Sequence, residues 1–131
     1  MSYILNIETA TTNCSVSLSR NGKTIVLKED GVSAAKGLCF ALDKPLISIP
    51  TLDALAHQVK VNDGVIVSML DARRMEVYSA IYDSNYNQIR ETQAQILDEN
   101  SFTEYLEKGN VYFIGNGVEK TKKLIHHAHA I

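Results

Sequence analysis

A two-lobed α/β protein, with mixed sheets flanked by helices, is predicted by three features of this 131-residue sequence. Short apolar runs rich in strand formers alternate with stretches whose apolar residues recur at helical spacing. Both halves run strands first and helix later. The turn cluster Asn62-Asp63-Gly64 falls between the halves, which places the expected lobes at residues 1–64 and 65–131.

Tyr3-Ile4-Leu5-Asn6-Ile7 is short, apolar and bounded by the polar cluster Thr9 to Asn13, as a buried strand followed by a turn would be. From Cys14 to Ser19 the pattern alternates, with Val16 and Leu18 on one face and Ser15, Ser17 and Ser19 on the other. Asn21-Gly22 then offers the positive φ angles of a tight hairpin, and Lys23 to Lys28 returns as a third strand, so the chain opens as an antiparallel meander. Between Ser33 and Asp43 the residues Ala34, Ala35, Leu38 and Leu42 share a helical face, and Lys44-Pro45 ends the helix. A row of small residues, Ser33, Gly37 and Ala41, runs beside that face at a spacing that lets another helix come close. Leu46-Ile47-Ser48-Ile49 reads as a buried strand, and Thr51 as the N-cap of a helix carrying Leu52, Leu55, Ala56 and Val59 on one side.

In the second half, Val65 to Leu70 and Met75 to Tyr82 read as strands joined by Asp71-Ala72-Arg73-Arg74. Asp83 to Asn87 is a turn and Gln88 to Leu97 a looser strand. Ser101-x-x-Glu104 has the form of a capping box opening a helix that buries Phe102, Tyr105 and Leu106, with Gly109 as its stop. Val111 to Ile114 is a buried strand, Gly115-Asn116-Gly117 a turn, and Val118 to about His127 a final helix.

Hydrophobic residues at 45% and charged residues at 21% exclude disordered, collagen-like and coiled-coil classes. The formal charge is −2 overall, 0 for residues 1–64 and −2 for residues 65–131. Neither half is a basic arm, which argues against unaided RNA binding, because phosphate contacts draw much of their affinity from concentrated positive charge. Cys14 and Cys39 form no close pair and read as two reduced, buried thiols, without a disulfide framework or a thiolate zinc site. Met1 to Thr9 lacks the basic start and cleavage signal of a leader, and no apolar run approaches the roughly 18 residues needed to span a bilayer. The expected location is cytoplasmic, with no membrane contact.

Chemistry-bearing residues are sparse. The turn after the first strand, Glu8, Thr9, Ala10 and Thr11, resembles a phosphate loop in its hydroxyls and backbone amides, but it lacks glycine and Glu8 would repel an anion; it reads as a degenerate phosphate loop or a plain polar turn. Gly115-Asn116-Gly117 misses the dinucleotide fingerprint because Lys120 occupies the third glycine position. His126, His127 and His129 have no carboxylate partner nearby and read as a solvated end, and His57 as a surface or boundary histidine. Asp71, Arg73, Arg74 and Glu76 form the densest polar cluster, read either as a solvated turn closed by its own ion pairs or as a polar contact for a carboxylate or phosphate. There is no complete catalytic set, no metal constellation and no implied cofactor.

Four runs taken together, Ile4 to Leu18 (ILNIETATTNCSVSL), Gly31 to Leu42 (GVSAAKGLCFAL), Pro45 to Ala56 (PLISIPTLDALA) and Leu70 to Tyr78 (LDARRMEVY), resemble the TsaB family, also called YeaZ, the glycoprotease-like subunit of the tRNA threonylcarbamoyladenosine machinery. The resemblance implies an actin-like, RNase H-like fold and a noncatalytic scaffold role. In that family TsaD transfers the threonylcarbamoyl group to tRNA, TsaE is an ATPase, and TsaB holds TsaD in its assembled form. The implied partners are a TsaD-type subunit, a TsaE-type ATPase through the complex, a second copy of the chain, and tRNA only through the complex. The implied pairing surface is the first-lobe helix, with Ser33, Ala34, Ala35, Gly37, Leu38 and Ala41. The family also inserts a helix and loop where Asp30 here runs into Gly31, and returns a C-terminal segment to the first lobe. The expectation is a missing segment at Asp30/Gly31, because loss of a core helix would uncover apolar sheet surface; a whole-protein mass near 14.5 kDa would refute it. The rival readings are an actin-like ATP-binding phosphotransferase using Glu8 to Thr11 and a glycoprotease-like peptidase.

Overall fold

The computed structural model describes residues 3–8, 15–21, 23–28, 37, 39–43, 45 and 47–131. The chain divides into two compact units, Met1–Ser48 and Ile49–Ile131.

In the first unit three strands, β1 (Tyr3–Glu8), β2 (Ser15–Arg20) and β3 (Lys23–Lys28), form an antiparallel sheet in sequence order. Tyr3 pairs with Arg20 and Arg20 in turn with Lys23, and Asn21, which follows β2, has the positive φ expected of it at 50°; Gly22 lies outside the described residues. The ladder shifts register between Leu18 and Ser19. Residues 37 and 39–41 are helical, as the apolar spacing predicts, and Asp43 at φ 49° follows the helical residues. The rest of the predicted Ser33–Asp43 helix start, and the junction at Asp30/Gly31, lie outside the described residues. Ile47, Ser48 and Ile49 do not form the predicted strand: they are exposed and pair with no strand among the described residues. Prolines at 45 and 50 remove ladder donors at both ends of the run.

The second unit is built on a mixed sheet in the order β6-β5-β4-β7, with β4 (Val65–Asp71), β5 (Glu76–Asp83), β6 (Gln88–Ile96) and β7 (Val111–Ile114). β4 pairs antiparallel with β5, Val65 opposite Asp83 and Asp71 opposite Val77, and parallel with β7, Val65 opposite Val111. Its near-continuous apolar run suits a central strand covered on both faces. Val67 and Met69 join Val77, Ile81, Phe102, Leu106 and Phe113 in one core cluster, while Ile66 joins Leu52, Ala56, Ala80 and Tyr82 in the other. Each large side chain so buried contributes roughly 1.5–3 kcal/mol. Backbone bonds from Val111 to His129, from Phe113 to Ile131 and from Ile131 to Val111 extend the sheet beyond β7.

Helix α1 (Thr51–Ala56) lies on this sheet with Leu52 and Ala56 buried, so the division between units falls at Ser48/Ile49 and not at Gly64: the helix finds its apolar complement on β4 and β5. Pro50 is its N-cap and Thr51 its first helical residue, with no side-chain cap bond. Helix α2 (Thr103–Leu106) is capped by Phe102 at φ 65°, and the predicted capping box does not form. Ser101 Oγ instead donates to Asp98 Oδ1 at 2.9 Å and accepts the Asp98 N–H, so Ser101 closes the turn before the helix. Tyr105 is half-buried where Phe102 and Leu106 are buried. Helix α3 (Val118–Thr121) is shorter than the predicted span to His127, because the chain turns after Thr121 to bring residues 129–131 beside β7. No helix among the described residues is long and apolar enough to cross a membrane.

Candidate interaction surfaces

Two of the regions singled out in the sequence are placed by the structure, one in each unit. In the first, residues 37, 39–43 and 47 expose an unusual amount of apolar surface. Phe40 is 92% exposed, Leu42 62% and Ile47 83%. Gly37 and Ala41, two of the three small residues in the predicted row, are exposed, and a Cβ built at Gly37 meets nothing within 4 Å. A side chain can therefore be added there without disturbing what the structure describes. Ser33, Ala34, Ala35 and Leu38 lie outside the described residues. Cys39 is a free thiol and is half-buried, not buried as expected; Cys14 lies outside the described residues.

The predicted phosphate-loop residues Thr9, Ala10 and Thr11 also lie outside the described residues. Glu8 ends β1 with its backbone opposite Ser15.

In the second unit the polar cluster at the β4–β5 connection is described in full. Asp71 ends β4 and Glu76 begins β5; between them Glu76 N–H donates to Arg73 O at 3.1 Å, and Ala72 N–H to Glu76 O at 3.1 Å. Arg74 sits at φ 57°, a left-handed conformation that a turn of this kind imposes. The turn is not closed by its own ion pairs. Asp71 pairs with Lys120 of α3, and Lys120 Nζ also donates to Glu76 O at 3.1 Å. Asn116 Oδ1 accepts the Asp71 N–H at 2.6 Å. Lys120 and Asn116 thus staple the hairpin end from more than forty residues away, and the side chains of Arg73 and Arg74 stay exposed, without an ion pair among the described residues.

Sequence reasoning missed this staple. Lys120 stands out in the sequence solely as the residue that breaks the glycine spacing after Gly115-Asn116-Gly117. That turn has a packing role: at Gly115, φ 103°, a Cβ would overlap the Met69 carbonyl, and at Gly117 it would lie 3.0 Å from Met69 Cγ and Val77 Cγ1. The glycines let the loop cross the end of β4 closely enough for Asn116 and Lys120 to reach Asp71.

Three of the histidines, His57, His127 and His129, are held by contacts within the second unit. His57 stacks on Tyr86 with ring centres 4.4 Å apart, and its Nδ1 lies 2.9 Å from Asp53 O. His129 Nδ1 lies 2.8 Å from Leu106 O, and His127 Nδ1 accepts the His129 N–H at 3.2 Å. Among the described residues no three His, Cys, Asp or Glu side chains come together as a metal site.

Comparison with known proteins supplies a context for these surfaces. The family model described as TsaD, tRNA N6-adenosine threonylcarbamoyltransferase, matches residues 29–129. A curated relative from Bacillus subtilis (strain 168), the tRNA threonylcarbamoyladenosine biosynthesis protein TsaB, is 40% identical over 52 residues, which is 40% of this chain. The match spans 23% of that relative's length. Among solved structures, YeaZ from Pseudomonas aeruginosa superposes with a TM-score of 0.65 at 17% identity, covering 97% of this chain and 82% of YeaZ. A second Pseudomonas aeruginosa structure, of an uncharacterized protein with similarity to peptidase YeaZ, gives a TM-score of 0.64 at 17% identity, covering 95% of this chain and 80% of that one. The mixed α/β architecture is therefore that of YeaZ.

Proposed function

Since the chain belongs to the family described as TsaD, tRNA N6-adenosine threonylcarbamoyltransferase, and within it to the TsaB/YeaZ proteins, we propose that it acts in tRNA threonylcarbamoyladenosine biosynthesis as a noncatalytic scaffold paired with a TsaD-type subunit. The observation that carries the pairing is the exposed apolar surface of Phe40, Leu42 and Ile47 in the first unit. A side chain as large as Phe40, 92% exposed to water, costs free energy in proportion to its apolar area, and a partner helix that covers it removes that cost. Gly37 and Ala41 keep the approach open, since neither projects more than a methyl group. The same surface could join a second copy of the chain. The TsaE-type ATPase and tRNA enter this reading only through the assembled complex.

Gly37→Glu tests it. The new side chain has open space in the described structure, so thermal unfolding of the isolated chain is expected to shift little, while a desolvated carboxylate at the contact weakens pairing strongly. Light scattering on an equimolar mixture with the TsaD-type protein reads the result. A complex of unchanged mass at unchanged concentration would refute the placement of the surface, and turnover of a substrate by the isolated chain would refute the noncatalytic role.

A further inference from the structure

A cation in the second unit lacks the counter-charge that its surroundings call for. Arg90 lies on β6 with its side chain half-buried and its guanidinium carbon 5.1 Å from the centre of the Phe102 ring. Nη1 donates to Gln95 Oε1 at 3.1 Å and Nη2 to Ser79 Oγ at 2.6 Å. A guanidinium has five N–H donors, so these two neutral acceptors leave most of it unsatisfied. Nε is buried with no hydrogen-bond partner, and no carboxylate stands within ion-pair reach of Arg90 among the described residues. Burial lowers the Arg90 pKa, with Tyr105 and Glu104 acting in the opposite direction. Taking a cation out of water is unfavourable unless an anion or a full set of acceptors replaces its hydration.

Beside the guanidinium opens a cleft of about 380 Å³, within the size range of small-molecule sites, lined by Gln95, Asp98, Asn100, Phe102 and Glu104 among others. Phe102 occupies the left-handed backbone region at φ 65°, a conformation costly for a bulky residue, and its ring is the one that carries Arg90. Asn100 has no partner for its side-chain amide among the described residues, which leaves a second donor at the rim. Asp98 is already engaged, its Oδ1 accepting the Ser101 hydroxyl and the Asn100 N–H.

We infer that this cleft, between β6 and α2, binds a small monocarboxylate, whose oxygens take the free N–H groups of Arg90 Nη1 and Nη2 and the side-chain amide of Asn100. The planar fork of an arginine matches a carboxylate in geometry. The carboxylates of Asp98 and Glu104 on the same lining repel any anion, and they repel a doubly charged phosphate more than a singly charged carboxylate, so a ligand held by Arg90 carries one negative charge. The site shares no residue with the surface assigned to pairing, and its presence does not depend on that assignment.

Acetate is the probe, titrated at constant ionic strength into the full chain while backbone amide and Arg90 side-chain NMR signals are followed. Saturating shifts confined to Arg90 and residues 98–105 are expected, with affinity falling about tenfold in Arg90→Lys, which keeps the charge but loses the fork. Asn100→Ala, at an exposed position that leaves the fold intact, is expected to weaken binding by about threefold. Inorganic phosphate is expected to bind more weakly than acetate. Shifts that grow linearly to about 100 mM acetate, equal affinity in a folded Arg90→Lys, or unchanged affinity in Asn100→Ala should Arg90→Lys fail to fold, would each overturn the proposal. Phosphate binding tighter than acetate would overturn its ligand class.

Discussion

The two turns at either end of β5 solve the same problem in opposite ways. At the β5–β6 turn Asp83 does the work locally: its Oδ1 accepts the N–H of Asn85 and of Asn87, and its Oδ2 accepts the Asn87 side-chain amide. At the β4–β5 turn the equivalent acid, Asp71, is held by Asn116 and Lys120, residues that follow β7 in the chain. The first turn can form before the rest of the unit is in place. The second is complete only once α3 has docked, so it reports on the tertiary structure around it.

That difference predicts where the two turns break. Gly115→Ala is expected to have the largest effect, a loss of about 3 kcal/mol, since the Cβ would overlap the Met69 carbonyl and φ 103° is strained for any side chain. Because Asn116 follows directly, the staple on Asp71 should be lost as well. Chemical denaturation gives the stability, and amide exchange at Asp71 and Glu76 should rise while exchange at Asn85 and Asn87 stays close to that of the parent chain. Equal acceleration at both turns would count against the local closure of the β5–β6 turn.

Lys120→Met isolates the staple from the glycine packing. Lys120 keeps 17% of its side chain exposed and Asp71 41%, so the ion pair is partly screened and the carbonyl bond to Glu76 shares the loss; about 1–2 kcal/mol is expected. Arg73→Ala is the control. If the turn were closed by its own charges it would be destabilised comparably, whereas the observed geometry predicts a change within about 0.5 kcal/mol.

The same contrast explains what was legible in the sequence. Asp83 to Asn87 reads as a turn because its hydrogen bonds span two and four residues, and Asn21-Gly22 reads as a hairpin for the same reason. The strands of both sheets are legible from alternation and apolar runs. The closure of the Asp71 turn was not, since nothing in a linear pattern says that Lys120 will arrive there, and opposite charges two or three residues apart invite the nearer pairing. Ser101 and Glu104 have the spacing of a capping box, but Asp98, three residues earlier, competes for the same hydroxyl and wins. Ile47 to Ile49 have strand composition and no strand beside them among the described residues, and the prolines at 45 and 50 remove ladder donors at both ends of the run. The Arg90 cleft was invisible for a similar reason: it needs Phe102 folded back over β6.

The smallest expected effect concerns acid. Asp83 has its pKa held below the ordinary 3.8, first by the Asn87 side-chain amide and then by the Asn87 backbone N–H, with a smaller contribution from Asn85. A carboxyl whose folded pKa is depressed binds its proton more weakly in the folded state, so its contribution to stability is fully present above the unfolded value near 3.8. It is lost as the pH falls through the folded value. Asp83→Asn keeps an acceptor for the Asn85 and Asn87 N–H groups but cannot be protonated, and its amide nitrogen cannot accept from the Asn87 side chain. The variant should be less stable than the parent at neutral pH, and the gap should narrow below about pH 4. Denaturation midpoints for the two proteins across that range make the measurement. A gap that stays constant would mean that the Asn87 amide, and not the charge on Asp83, closes the turn, and the distinction between a self-closed and a stapled hairpin would then rest on hydrogen-bond geometry alone.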